Sequence, residues 1–249
     1  MFRKIIADNT TLRGYYAEAK AKGISSAAVC NPVVPWFDLS VVFPIVDTSV
    51  IQQFTEVQNY LAENVLDDLG RKKHYYPPAT DFHITLFRYD QDEKNWREVL
   101  SRTPKVKMRQ AAYSLFMEYP DYPNPAPYFI GGFASNNSVI LTGWDYDVLN
   151  NLRADFVNYG LEHNFFYPEK AAKLNDPENK IYPNFVHITP IRFQTRVTDE
   201  QRQAINDYLG PKYFGRIDLP KIGLHEHAKR DVLESGHYLE NLFRQTTRL

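Results

Sequence analysis

Histidine is the one side chain whose ordinary pKa lies near neutrality, so paired histidines are a natural place to look for acid–base chemistry. This chain of 249 residues has seven histidines, and two of them sit in matching strings. These are Phe82-His83-Ile84-Thr85-Leu86-Phe87-Arg88-Tyr89 and Val186-His187-Ile188-Thr189-Pro190-Ile191-Arg192-Phe193. Each reads apolar-His-Ile-Thr, and two intervening residues later carries Arg and then an aromatic. One neutral imidazole can take a proton from an attacking hydroxyl or water while a protonated one gives a proton to a leaving oxygen. A hydroxyl beside each can donate to the non-bridging oxygens of a phosphoryl group, where charge accumulates. The residue types fit cleavage of a phosphodiester without a metal.

Period-2 alternation predicts how a strand would present these groups. Phe82, Ile84 and Leu86 take one face and His83 and Thr85 the other, about 7 Å apart; Ile188 likewise opposes His187 and Thr189. Strict alternation also places Phe87 on the histidine side, as a wall or stacking ring, and sends Arg88 and Arg192 to the opposite face. A bulge would reverse that parity. Pro190 predicts a strand edge or end. Tyr75 and Tyr76, in Tyr75-Tyr76-Pro77-Pro78, and Tyr182, in Tyr182-Pro183, precede the two motifs and are candidates to stack on a base. The plainer reading of each histidine is a satisfied strand residue, and of each tyrosine a core one.

The elements that must hold the motifs recur in the same order. Asp38–Phe43 is β-rich, and Val50, Phe54, Val57, Leu61 and Val65 follow at helical spacing, predicting an amphipathic helix over 50–68. Ser49 and Gln52 fit a capping box at its start. After the first motif, 92–102 reads as a helix. In the second half Ser138–Thr142 is a strand and Val148, Leu152, Phe156 and Tyr159 mark a helix over about 145–162. After the second motif, Thr198-Asp199-Glu200-Gln201 opens a helix that Gly210-Pro211 closes. Strands are expected near Phe214–Leu219 and Lys221–His225. Strand, helix, motif strand, helix, twice over, implies an internal duplication. Residues 1–35, with a short polar helix near Leu12–Ala21, read as an extension. Residues 36–249 read as one domain with lobes of about 36–135 and 136–249.

Composition narrows the chemistry. Hydrophobic residues make up 43% and charged residues 24%, as in an ordinary globular chain. The formal net charge of −1 argues against a broad basic surface for long nucleic acids but allows a small anion held locally. Cys30 is the only cysteine, which excludes an intramolecular disulfide and a cysteine-rich metal centre. His225-Glu226-His227 could offer two ligands from one strand face, but no third is identifiable, and a surface strand end is the simpler account. No apolar run reaches the length of a membrane span. A cytoplasmic monomer without cofactor or membrane attachment is the expectation.

The paired motifs His83-Ile84-Thr85 and His187-Ile188-Thr189 resemble those of the 2H phosphoesterase superfamily, which includes RNA 2′,3′-cyclic phosphodiesterases and 2′-5′ RNA ligase-like proteins. The resemblance covers about residues 36–225. It implies an α+β fold, duplicated and two-lobed, with antiparallel sheets facing a central cleft and helices outside. It further implies that His83 and His187 are the catalytic pair, with Thr85 and Thr189 as phosphate ligands. The substrate would be a small nucleotide or an RNA end: a 2′,3′-cyclic phosphate, a 2′-5′ linkage or a related diester. A non-catalytic module binding such ends in the same cleft is the alternative. Three features depart from the family pattern: Pro190, where an aliphatic residue is usual, the 35-residue front extension, and an insertion at 167–181.

Overall fold

The computed structural model describes residues 36–88, 125–135, 137–145, 148–164, 186–220, 223–229 and 234–241, with isolated positions at 13, 14, 16, 17, 20, 21, 166, 171 and 172. The expected helix at 92–102, Tyr182 and nearly all of 167–181 lie outside the described residues. At the described positions between 13 and 21 the backbone is helical, as the extension predicts.

In chain order the elements are β1 (Trp36–Pro44), α1 (Thr48–Asn64), β2 (His74–Tyr75), a 3-10 turn (Ala79–Asp81) and β3 (His83–Arg88). Then come β4 (Tyr128–Ala134), β5 (Ser138–Trp144), α2 (Val148–Glu162), β6 (Val186–Phe193) and α3 (Asp199–Leu209). The last are β7 (Tyr213–Arg216), β8 (Gly223–Lys229) and β9 (Glu234–Asn241). The fold is α+β with two antiparallel sheets, ordered β3-β1-β8-β9 and β2-β6-β5-β4-β7. The expected order is seen in β5-α2-β6-α3; in the first half β2 and the 3-10 turn intervene between α1 and β3, and the helix expected after β3 lies outside the described residues.

The sheets do not follow a cut near residue 135. Strands β8 and β9 from the end of the chain join the first sheet, while β2 joins the second. A central strand needs a partner on both edges, and β8 occupies the edge of β1 that β3 leaves open.

Among the described residues, α1 and α2 form where their apolar stripes predict, and α3 where its capping box does. Val50, Phe54, Val57 and Leu61 of α1 are buried, and Phe54 meets the rings of Phe82 and Phe214 edge-on at 5.7 and 5.4 Å. Burying such residues contributes roughly 1.5–3 kcal/mol each. The start differs from expectation. Asp47, not Ser49, caps α1, its Oδ1 accepting from the Ser49 and Val50 amides at 2.8 and 3.2 Å. A carboxylate outcompetes a hydroxyl at the positive end of the helix. Gln52 instead donates to Glu56 at 3.0 Å. Helix α3 carries the predicted capping box, with Gln201 N donating to Thr198 Oγ1 at 3.2 Å and Thr198 N to Gln201 Oε1 at 3.0 Å.

The helices cross over. Helix α1 packs on β6, and α2 packs on β3. Each motif strand is therefore backed by the helix of the other half. Strands β3 and β6 also meet each other, although they belong to different sheets.

Candidate active site on the two motif strands

Register across the sheets fixes which side chains share a face. In β6, His187 pairs with Thr142 and Arg192 with Ser138, and positions 142 and 138 of β5 have the same parity. His187 and Arg192, five residues apart, therefore lie on one face. One extra residue in β6 makes this possible: Val139 pairs with Ile191 but Leu141 with Ile188. Accordingly Val186, Ile188, Ile191 and Phe193 are buried, while His187, Thr189 and Arg192 are half-buried. Arg192 lies on the histidine face and not on the far side that strict alternation predicts, because the ladder is interrupted at Thr189-Pro190. Pro190 does not end the strand; it sits in the bulge, where a missing N–H costs nothing.

Strand β3 repeats the device. Thr85 pairs with Val42 but Phe87 with Val41, so Leu86 is the extra residue, and Arg88 pairs with Ser40. Positions 83, 85 and 88 thus pair with Pro44, Val42 and Ser40, three residues of one parity. Phe87 moves to the core. It is 2% exposed and its ring lies 4.9 Å from that of Phe156 and 5.4 Å from that of Phe166. The structure therefore removes Phe87 from the candidate ligand face.

His83 is half-buried at the start of β3, and its Nδ1 lies 2.6 Å from the carbonyl oxygen of Asp81 in the preceding 3-10 turn. With Nδ1–H donating to that carbonyl, the lone pair of the neutral ring sits on Nε2. That turn follows Pro78, extended at φ −60 and ψ 154, and is closed by Asp81 N donating to Pro78 O at 2.8 Å.

Tyr75 pairs with Arg192 across β2 and β6, so it occupies the register position next to the histidine-bearing row, 8% exposed. Tyr76 is committed elsewhere. Its hydroxyl donates to Asp68 Oδ2 at 3.0 Å and the Arg71 guanidinium lies over its ring at 5.1 Å. Burial and the Asp68 carboxylate hold its phenol strongly protonated. Asp68 is itself 3% exposed and also accepts from the backbone amides of Lys72, Lys73 and His74. Burial opposes its charge, but these hydrogen bonds prevail and hold its carboxyl below the usual range. Asp68 thus knots the loop between α1 and β2 and delivers Tyr75 to β6.

The face bearing His187 has a floor that the motifs alone did not reveal. Ile140, Thr142 and Trp144 share the parity of Ser138 on β5, and Phe133 and Tyr128 pair with Ile140 and Trp144. The alternation Ser138-Val139-Ile140-Leu141-Thr142-Gly143-Trp144 was the available signal. Tyr16, from the extension, packs on Ile130, Phe133 and Ile140 of this floor and donates its hydroxyl to Gly132 O at 3.0 Å. Gly131, at φ +68, makes room: a Cβ there would lie 2.7 Å from the Tyr16 ring.

His225 and His227 pair through the backbone with Ser40 and Asp38. Among the described residues no group of three metal-ligating side chains occurs, and no described helix is long and apolar enough to cross a membrane.

No protein-family model matches the chain, and no curated protein matches it. Solved structures do. TT0787 of Thermus thermophilus is similar with a TM-score of 0.51 at 15% identity, over 82% of this chain and 96% of that one. A phosphoesterase gives 0.46 at 13%, over 82% and 96%. E. coli LigT, complexed with NADP+, gives 0.46 at 13%, over 84% and 97%. Over 82% of its length this chain is similar to TT0787, and at 15% identity what the two have in common is the fold, α+β.

Proposed function

We propose that this chain is a phosphodiesterase of the 2H type that cleaves a small nucleotide or RNA-end diester by two-histidine acid–base catalysis, in a cleft between the two sheets. The observation that carries the reading is the doubled register. On β3 and β6, which touch, His and Thr share a face, and in each strand one extra residue brings the position of the following Arg to that face. His83 and His187 are the proton-transfer pair. Thr85 and Thr189 hydroxyls and the Arg192 guanidinium are the groups that hold non-bridging phosphate oxygens.

In hydrolysis of a 2′,3′-cyclic phosphate, a water oxygen forms a bond to phosphorus as one ribose P–O bond breaks. One imidazole accepts the water proton and the other imidazolium supplies a proton to the departing ribose oxygen. The reaction consumes no redox equivalent and needs no metal-bound nucleophile. The half-buried aromatic floor, Trp144 and Tyr128, supplies surface for a base, whereas Tyr75 is buried.

The test is a panel of 2′,3′-cyclic nucleotides, 2′-5′ oligoadenylate and RNA with 2′,3′-cyclic ends, each assayed with and without EDTA. Turnover of at least one, unaffected by chelator, is the expected result. Binding of these ligands without turnover would replace the enzyme by an end-binding module. Loss of activity with EDTA would redirect attention to a metal.

A further inference from the structure

The extra residue after each His-Ile-Thr triplet is held from behind by a buried polar side chain. In β6, Gln58 of α1, 2% exposed, donates from Nε2 to Pro190 O at 2.8 Å and to Pro77 O at 2.9 Å. In β3, Arg153 of α2, 1% exposed, donates from Nε to Leu86 O at 3.1 Å and from Nη2 to Thr85 O at 2.9 Å. Leu86 and Pro190 are the same position of the two motifs, one residue after the threonine.

Both donors interrupt apolar stripes. Gln58 lies among Phe54, Val57 and Leu61, and Arg153 among Leu149, Leu152 and Phe156, all buried. Placing an amide and a guanidinium there is costly unless they are hydrogen-bonded. A bulge creates the complementary need, because the extra residue leaves the ladder and its buried carbonyl still requires a donor. An unbroken strand would need neither.

We infer that Gln58 and Arg153 are positioning residues: by fixing the bulge of the motif strand each one backs, they bring the arginine position of that motif onto the histidine–threonine face. Gln58 acts on β6 and Arg192, and Arg153 acts on β3 and the Arg88 position. The inference rests on the phosphoester reading for its functional consequence, but its geometry is independent of turnover.

The experiment is a double-mutant cycle of Gln58→Met with Arg192→Gln, reading the affinity for inorganic phosphate by NMR titration and kcat/KM for 2′,3′-cyclic AMP. Gln58→Met keeps length and shape but removes the donor. Well below its melting temperature it is expected to weaken phosphate binding and lower kcat/KM by about ten- to a hundredfold, the penalty of displacing a ligand group. In the Arg192→Gln background that loss should all but disappear, whereas the loss of thermal stability should be the same in both. Equal losses of affinity in both backgrounds, or unchanged affinity in folded Gln58→Met, would overturn the inference. So would a wild-type protein that binds no phosphate. Coupled phosphate affinities in a protein that turns over no cyclic nucleotide would uphold the positioning role while removing the proposed activity. The parallel cycle of Arg153→Lys with Arg88→Gln asks the same of β3, and stands by itself if Gln58→Met does not fold.

Discussion

Gln58→Glu gives a prediction in which the sign is as informative as the size. In the native protein one amide nitrogen serves two carbonyls, Pro77 O and Pro190 O, at 2.9 and 2.8 Å. Glutamate replaces that donor by an acceptor oxygen facing both. Leaving two buried carbonyls without their donor costs about 1–3 kcal/mol each, with the lower end apt for carbonyls. Burial beside carbonyl oxygens also raises the folded-state pKa of the new carboxyl above its unfolded value. Each unit of that rise costs about 1.4 kcal/mol at neutral pH. A group whose folded pKa is raised binds more protons in the native state, so stability is lost as pH rises through the window between the two values. The neutral carboxyl can donate one hydrogen bond back, so acid restores part of the loss. The expected cost at pH 7 is about 3–6 kcal/mol, comparable with the whole stability of a small domain. It should shrink steadily toward pH 4.5. Urea unfolding of wild type, Gln58→Met and Gln58→Glu at half-unit pH intervals measures this. Gln58→Met should show a pH-independent deficit. If Gln58→Glu matches wild type at pH 7, or if its deficit does not fall in acid, Gln58 is not the shared donor described.

Other residues give shorter tests. His74 is 4% exposed, its ring edge-on to Phe193 at 5.6 Å with Nδ1 accepting from Gln194 N at 3.4 Å. Burial pushes its pKa below the ordinary value, against the pull of Asp68. The unfolded chain therefore binds the extra proton first, and stability should fall as pH drops below about 6.5, the unperturbed value; His74→Gln should flatten that part of the urea-midpoint profile. Phe87→Leu, a core change, should lower thermal stability by about 1–2 kcal/mol yet leave kcat/KM nearly unchanged; a large selective loss of affinity would return Phe87 to the ligand face. Tyr16→Ala uncovers Ile130, Phe133 and Ile140 on the floor beside His187, and should change the ratio of kcat/KM between a cyclic mononucleotide and an RNA end.

How far the sequence led depended on how local each signal was. Helix α1 and helix α3 were legible because apolar spacing and caps act over a few residues, although a stronger cap at Asp47 displaced the one expected at Ser49. The motif strands were legible from alternation. Their bulges were not, because a bulge is a relation to the neighbouring strand and to the donor behind it, and Gln58 lies far from Pro190 in sequence. That single gap moved Phe87 into the core and Arg192 onto the histidine face. Strand β4 escaped because Gly131 and Gly132 weaken its pattern, and β9 because Glu234–Asn241 is polar and contains Gly236. The crossing of the helices, α1 onto β6 and α2 onto β3, has no local signature.

The central claim is that His83 and His187 act together on one phosphodiester. The most direct measurement is kcat/KM on the best cyclic phosphate substrate, in EDTA, for wild type, His83→Ala, His187→Ala and the double variant, with folding checked by circular dichroism. Proton transfer by one placed imidazole is worth about 10²–10⁴-fold, so each single variant should lose that much. Groups that act as a unit are not additive, so the double variant should fall little further. Wild-type activity in either folded single variant would contradict the account.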